Sequence, residues 1–295
     1  MRSHRPTSEL PAHLEALYGR FSFDRSLAED PISVVRSLAT DRRRAEVAGI
    51  VGATLAIGNT TAIRGAIDRV ARAADGDVAR LIDPRREPER RRRLAGFRHR
   101  WIRGDQLEHL FRILSDYYDR HPTLEDAFVT GWAEGGFAVG LDRLASALRG
   151  TPATDRIGRA PRGYRALFPS PLDPSASACK RLTLFLRWMV RDRYPDLGYW
   201  TRIPTGELRV PLDQHVHWIA YHLGLTARRT RNWAAVEEVS EALRRIDPID
   251  PVKYDFVLCH TGISGDCPKE RDLSVCGPCS VRPDCSLWRG RSVAT

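Results

Sequence analysis

An all-α fold is predicted for this chain from three observations. Apolar residues recur at the helical spacing of three and four. No stretch alternates convincingly at period two, apart from a short extended piece just before Asp213. With 295 residues, 42% of them hydrophobic and 28% charged, the chain can fill one large core or two modest ones and is not disordered by composition. No run approaches the ~18 apolar residues of a membrane span, and the start, MRSHRPTSELPAHLEAL, lacks the apolar segment of a signal peptide. A cytoplasmic monomer with no membrane partner is expected.

Taken in order, the periodic segments place helices over 12–19 and 30–38, then over Arg44–Ile57, where Ala45, Val47, Ile50, Val51 and Leu55 surround most of the helix as in a buried central element. Gly58 and Asn59 are expected to end it. Helices follow over 62–74, along the stripe Leu107, Leu110, Phe111, Leu114 and Tyr118, and over 124–130 and 138–148. The stripe Leu182, Phe185, Leu186, Met189 and Val190 gives another, with further helices over 213–223, 232–246 and 251–262. Asp250 and Pro251 read as the cap and first position of the last. Residues 83–103, DPRREPERRRRLAGFRHRWIR, break the period with nine arginines and read as an exposed basic loop. Residues 150–178, rich in Pro, Gly, Ser and Ala, read as a connector.

Lys and Arg outnumber Asp and Glu by 47 to 37, a formal charge of +10 that favours a polyanionic partner, nucleic acid before an anionic membrane. Arg90, Arg91, Arg92 and Arg93 are candidate phosphate contacts. Only Lys180, Lys253 and Lys269 are lysines; the other 44 basic residues are arginines. Where almost every cation is Arg, a retained Lys points to a use for an amine, which can form a Schiff base.

Cys179 stands alone, read as a packed thiol, and Cys259, among Phe256, Val257 and Leu258, as a small buried residue on a helix. The pattern Cys267-x8-Cys276-x2-Cys279-x5-Cys285 puts four soft ligands within 19 residues. A single C-x2-C knuckle flanked by single cysteines favours a 4Fe–4S cluster; zinc and free thiols are the alternatives. His215 and His217 lie two apart and point to different helix faces, against a paired metal ligation.

The cysteine pattern resembles the iron–sulfur loop of the endonuclease III branch of the helix-hairpin-helix DNA glycosylase superfamily, with a longer first gap. The stretches CKRLTLFLRWMVRD, RVPLDQHVHWIAYHLGL and IDPIDPVKYDFVLCHTGI are similar to a poorly characterised prokaryotic family within that superfamily. The resemblance implies two lobes, 43–212 with a modified hairpin and 1–42 plus 213–295 with the cluster loop (264–288), and an active site in the cleft between them. It implies Lys180 as the catalytic lysine and Asp213 as the essential aspartate, in a DNA glycosylase with abasic-site lyase activity, nucleoid-associated, acting on duplex DNA with a damaged base flipped out of the stack. At a helix N-terminus an anionic Asp213 is favoured. The usual glycine-rich hairpin is replaced by SPLDPSASACKR, so the hydroxyls of Ser175 and Ser177, with Arg181, stand in for backbone phosphate donors. Asn59 is a candidate to fill the vacated stack. Trp101, Trp132, Tyr164 and Trp200 are candidates for stacking on the base, or else for the core. Lys253 is expected to contact solvent or a phosphate. The rival reading is a non-catalytic nucleic-acid-binding protein stapled by the cluster or by zinc.

Overall fold

The computed structural model describes residues 6–150, 159–173, 175 and 177–289. Its helices are α1 (Leu10–Arg20), α2 (Phe23–Glu29), α3 (Pro31–Leu38), α4 (Arg42–Leu55), α5 (Thr60–Ala73) and α6 (Glu87–Leu94). A hairpin of β1 (Arg98–His99) and β2 (Ile102–Arg103) follows, then α7 (Gly104–Tyr118), α8 (Glu125–Gly135), α9 (Phe137–Arg149) and α10 (Lys180–Val190). The last helices are α11 (Gln214–His222), α12 (Trp233–Ile246), α13 (Lys253–Ile263) and the short α14 (Leu273–Cys276). The all-α class therefore holds. None of the described helices is long and apolar enough to cross a membrane.

The chain forms two compact units: Asp24–Pro204, and the residues up to Phe23 together with those from Thr205 onward. In the first, α4 packs against α3, α5 and α10. Asp41 caps α4, its Oδ1 accepting from Arg44 N at 2.8 Å. Two glycines let its neighbours close in: a Cβ at Gly52 would lie 2.6 Å from the Val35 side chain, and one at Gly49 would lie 3.0 Å from Met189 Cε. Because Val35 and Ile32 are spent on α4, the segment 24–42 belongs with the larger unit rather than with the C-terminal lobe.

Glu46 lies fully buried on α4. Its carboxylate accepts from Trp200 Nε1 at 2.8 Å, Tyr118 OH at 2.7 Å, Leu124 N at 3.1 Å and the Thr123 hydroxyl. A buried charge is tolerable only with such partners.

Three local expectations are corrected. The basic run is a helix, α6, because Glu87 and Glu89 occupy its first turn and its arginines the last, complementing the helix dipole. Glu87 and Glu89 also bind Arg91 and Arg93 one turn on, at 3.0 and 2.7 Å. The only paired strands among the described residues lie at 98–103, whereas the piece before Asp213 forms no sheet, Val210 N bonding Ser240 Oγ instead. Asp250 does not cap α13. An Asx turn at Asp247, accepting from Ile249 N and Asp250 N, delays the helix to Lys253.

In the second unit α13 packs against α11 and α1. Phe21, Phe23 and Phe256 close the α1–α13 contact with ring centroids 5.2–5.9 Å apart.

Replacing Glu46 with Ala strands four buried donors and should destabilise the protein by about 3 kcal/mol. Glu46→Gln, which still accepts on one oxygen, should lose less. Thermal melts of the two variants measure the difference.

Candidate functional site

After α13 the chain turns through 264–288 with only α14 and a single 3-10 turn, Arg282–Asp284, as regular structure. The loop is held from outside. Buried Asp284 accepts from the Thr7 hydroxyl and from His13 Nδ1 at 2.7 Å, fixing it to the N-terminal segment. Ser286 donates its N–H to His222 O and shares a 2.6 Å hydrogen bond with His222 Nδ1 at the end of α11.

Within this frame Cys267, Cys276, Cys279 and Cys285 are all half-buried, and their thiols interact electrostatically with one another. Backbone N–H groups point at three of the sulfurs with one recurring offset: Lys269 to Cys267, Val281 to Cys279 and Leu287 to Cys285, each two residues on. Lys269 adopts a left-handed φ of 66° in the first of these turns. The buried indole Nε1 atoms of Trp218 and Trp288 lack an ordinary hydrogen-bond partner, and Trp218 acts on the Cys267 sulfur. Burial pushes the thiols of Cys267 and Cys279 up and that of Cys285 to about 11, with the adjacent thiols adding to the effect. N–H groups aimed at sulfur are what bound thiolates require, and a cationic centre would supply the charge that burial denies Cys267, Cys279 and Cys285. Among the described residues no three His, Cys, Asp or Glu side chains are disposed to chelate a single ion.

Lys180 is the first residue of α10, entered through Cys179 at a left-handed φ of 47°. Cys179 is buried, with Sγ 3.6 Å from Pro169 O and 3.5 Å from Ser177 O, and burial pushes its thiol up to about 12, so it is a packed group and not a nucleophile. Asp213 caps α11: Oδ1 accepts from His215 N and Val216 N, both at 2.8 Å. Its Oδ2 accepts from the Cys259 thiol at 3.3 Å. Reading Cys259 from its apolar neighbours hid this role; the signal lay in the helix packing, since Gly262 one turn on lets α13 approach His215, where a Cβ would meet the His215 Cβ at 2.5 Å and the ring Nδ1 at 2.8 Å. Lys180 and Asp213 belong to different units.

Other candidates are placed differently from expectation. Lys253 does not face solvent or phosphate: its Nζ binds Glu15 at 2.6 Å and Asp247 at 2.7 Å, and those carboxylates hold the amine above its ordinary range against the opposing effect of burial. Arg90 is buried, donating to Leu81 O at 2.6 Å and to Glu108 at 3.3 Å, so it cannot reach a phosphate. Arg91 and Arg93 are exposed but paired, Arg93 also with Asp75 at 2.6 Å, while Arg92 is exposed. Arg181 donates to Leu167 O and Ala166 O, closing the connector onto α10, and burial lowers it to about 10. Ser175 is exposed but gives its hydroxyl to Asp173 at 2.7 Å, and Ser177 Oγ accepts from Cys179 N. Both serines serve the local turn, and the Asp173 carboxylate beside Ser175 opposes a phosphate there.

Asn59 is exposed and caps α5 by accepting from Ala62 N at 2.8 Å. Tyr164 and Trp200 are core residues, Trp132 is half-buried and Trp101 is 44% exposed. His217 Nε2 pairs with Arg228 O, and His215 Nδ1 is buried without a partner.

The two ends of the arginine run should therefore behave oppositely. Arg90→Ala should cost about 3 kcal/mol in thermal or denaturant unfolding by opening a cavity, removing the donor to Leu81 O and leaving buried Glu108 with only Arg112 at 4.0 Å, whereas Arg92→Ala should fall within about 0.5 kcal/mol of wild type.

A family model described as a protein of unknown function, DUF2400, matches residues 30–264, and the chain belongs to that family. The match stops just short of the four-thiol loop. No curated protein and no solved structure matches the chain.

Proposed function

Starting from that membership, we propose that the protein is a DNA repair glycosylase that also cleaves the strand at the resulting abasic site. The observation that carries the reading is Lys180: it is the only lysine between residues 24 and 204, a span otherwise served by arginine, and it stands in the first turn of α10. An amine is needed where a nitrogen must become covalent, which a guanidinium cannot supply.

Lys180 Nζ attacks the sugar carbon of a flipped nucleotide. The carbon–nitrogen bond to the base breaks and the base takes up a proton; the amine gives up one proton, and its electron pair then opens the sugar ring, the bond from that carbon to the ring oxygen breaking and the oxygen taking up a proton as the carbon–nitrogen double bond of the Schiff base forms. Loss of a proton from the neighbouring sugar carbon then expels the 3′ phosphate, and water releases the enzyme. Asp213 supplies the negative charge that the electron-poor sugar requires in the first step. Two amide donors fix one of its oxygens, and the Cys259 thiol, a weak donor, meets the other, so the carboxylate is held in one orientation.

The half-buried thiols and their N–H donors support Cys267, Cys276, Cys279 and Cys285 as ligands of a 4Fe–4S cluster, with zinc as the alternative. When bound, the cluster cross-links a loop that has little regular structure of its own. The net charge supports duplex DNA as the partner. The commitment of Ser175 to Asp173 favours the second reading, a binder without lesion chemistry, because it weakens the phosphate grip next to α10.

Borohydride should trap the wild type covalently on duplexes carrying a substrate lesion or an abasic site, and Lys180→Gln should abolish trapping while leaving the melting temperature near wild type. Asp213→Asn, which preserves the cap, should retain binding and lose excision by a factor on the order of 10²–10⁴. A wild type that binds duplex yet neither excises nor traps establishes the binder instead. The protein purified without oxygen should carry about four irons per chain, and Cys276→Ser should lose them; stoichiometric zinc without iron would replace the cluster by the alternative.

A further inference from the structure

The hairpin β1–β2 is built in two layers. Its inward residues anchor it: His99 Nε2 lies 3.0 Å from both Leu55 O and Ile57 O, taking up free carbonyls at the end of α4, and Ile102 is fully buried. Arg69 braces it from α5, donating to Arg98 O at 3.2 Å. Outward it presents Arg98, Arg100, Trp101 and Arg103, all exposed. Among the described residues none of these arginines is ion-paired, in contrast to Arg91 and Arg93 on α6.

The tip departs from what a short turn prefers. Arg100 adopts a left-handed φ of 54°, a position that favours glycine. A side chain kept there against backbone preference is retained for what it does. The Arg100 guanidinium lies on Gly58, where a Cβ would come within 2.8 Å of Nε, next to exposed Asn59. On the other side of the tip Trp101 stands 5.7 Å from the Arg181 guanidinium, the residue after Lys180. The nearest acid along the chain, Asp105, turns an oxygen onto Gln106 N.

We propose that the Arg98–Arg103 hairpin is a binding site for unpaired DNA, with Trp101 as the stacking platform for an exposed base and Arg98, Arg100 and Arg103 holding the flanking phosphates. A flat aromatic face among unpaired guanidinium groups is complementary to a base on its phosphate backbone, whereas it would leave cations stranded against an apolar protein surface. The site names a substrate class for the function proposed above and rests on that reading: DNA in which a base is already unstacked.

Equilibrium binding at one fixed salt concentration tests it, using labelled duplexes identical except for a three-nucleotide single-stranded gap. Trp101→Ala should weaken binding to the gapped duplex about tenfold and to the intact duplex less than about twofold, while Trp101→Phe stays close to wild type. Arg100→Gly should weaken binding to both several-fold while melting no lower than wild type, since glycine is at ease in that turn. Unchanged binding of the gapped duplex by Trp101→Ala, or an equal loss on both duplexes, overturns the assignment. Tighter binding of a single-stranded RNA than of the DNA of the same sequence overturns the choice of DNA. Binding is read without turnover, so the hairpin can fail while Lys180 still traps, and trapping can fail while the hairpin still discriminates.

Discussion

The carboxylate of Glu46, fully buried on α4 and met by an indole, a phenol, a threonine hydroxyl and a backbone amide, is the contact around which the larger unit is organised. Those donors come from α7, from the turn before α8 and from the chain after α10, so one acidic side chain fixes three distant stretches of sequence. The arrangement needs α4 to be approached from every side, which its glycines permit. It also explains why α10, and with it Lys180, starts from a rigid base: Phe185 and Met189 of α10 lie against Gly49, one turn from Glu46.

The smaller unit solves a different problem. Its C-terminal loop has little regular structure, and in place of an apolar core it uses specific polar ties: Asp284 to Thr7 and His13, and Ser286 to His222. These ties hold the loop that carries the four cysteines, and burial pushes the thiols of Cys267, Cys279 and Cys285 above their ordinary range. Asp213 is set by a comparable device, one oxygen on its own helix and the other on a thiol of α13, so the orientation of the carboxylate depends on how two helices pack.

Much of this was legible in the sequence, and what was not has identifiable causes. The spacing of apolar residues located α4, α7, α9, α10 and α12, because each buries a continuous stripe. Asp213 as a cap and Lys180 at a helix start were also legible, since both depend on neighbours close in the chain. The helix at 87–94 was hidden because it buries only Arg90 and Leu94, and charge complementarity stabilises it where an apolar stripe would have announced it. Lys253, Arg90 and Arg181 were misjudged for one common reason: a cation read alone looks solvent-facing, and its partner, Glu15, Glu108 or a carbonyl of 166–167, lies elsewhere in the sequence. Cys259 was missed because a thiol among apolar neighbours gives no sign of a carboxylate brought in by another helix.

The central claim is that Lys180 supplies the amine of a covalent step. Its most direct test is proteolysis and mass spectrometry of the borohydride-reduced complex formed on abasic DNA. The account predicts the sugar remnant on the peptide containing Lys180. A remnant on Lys253, on Lys269 or on the N-terminus, or no cross-linked peptide at all, would contradict it.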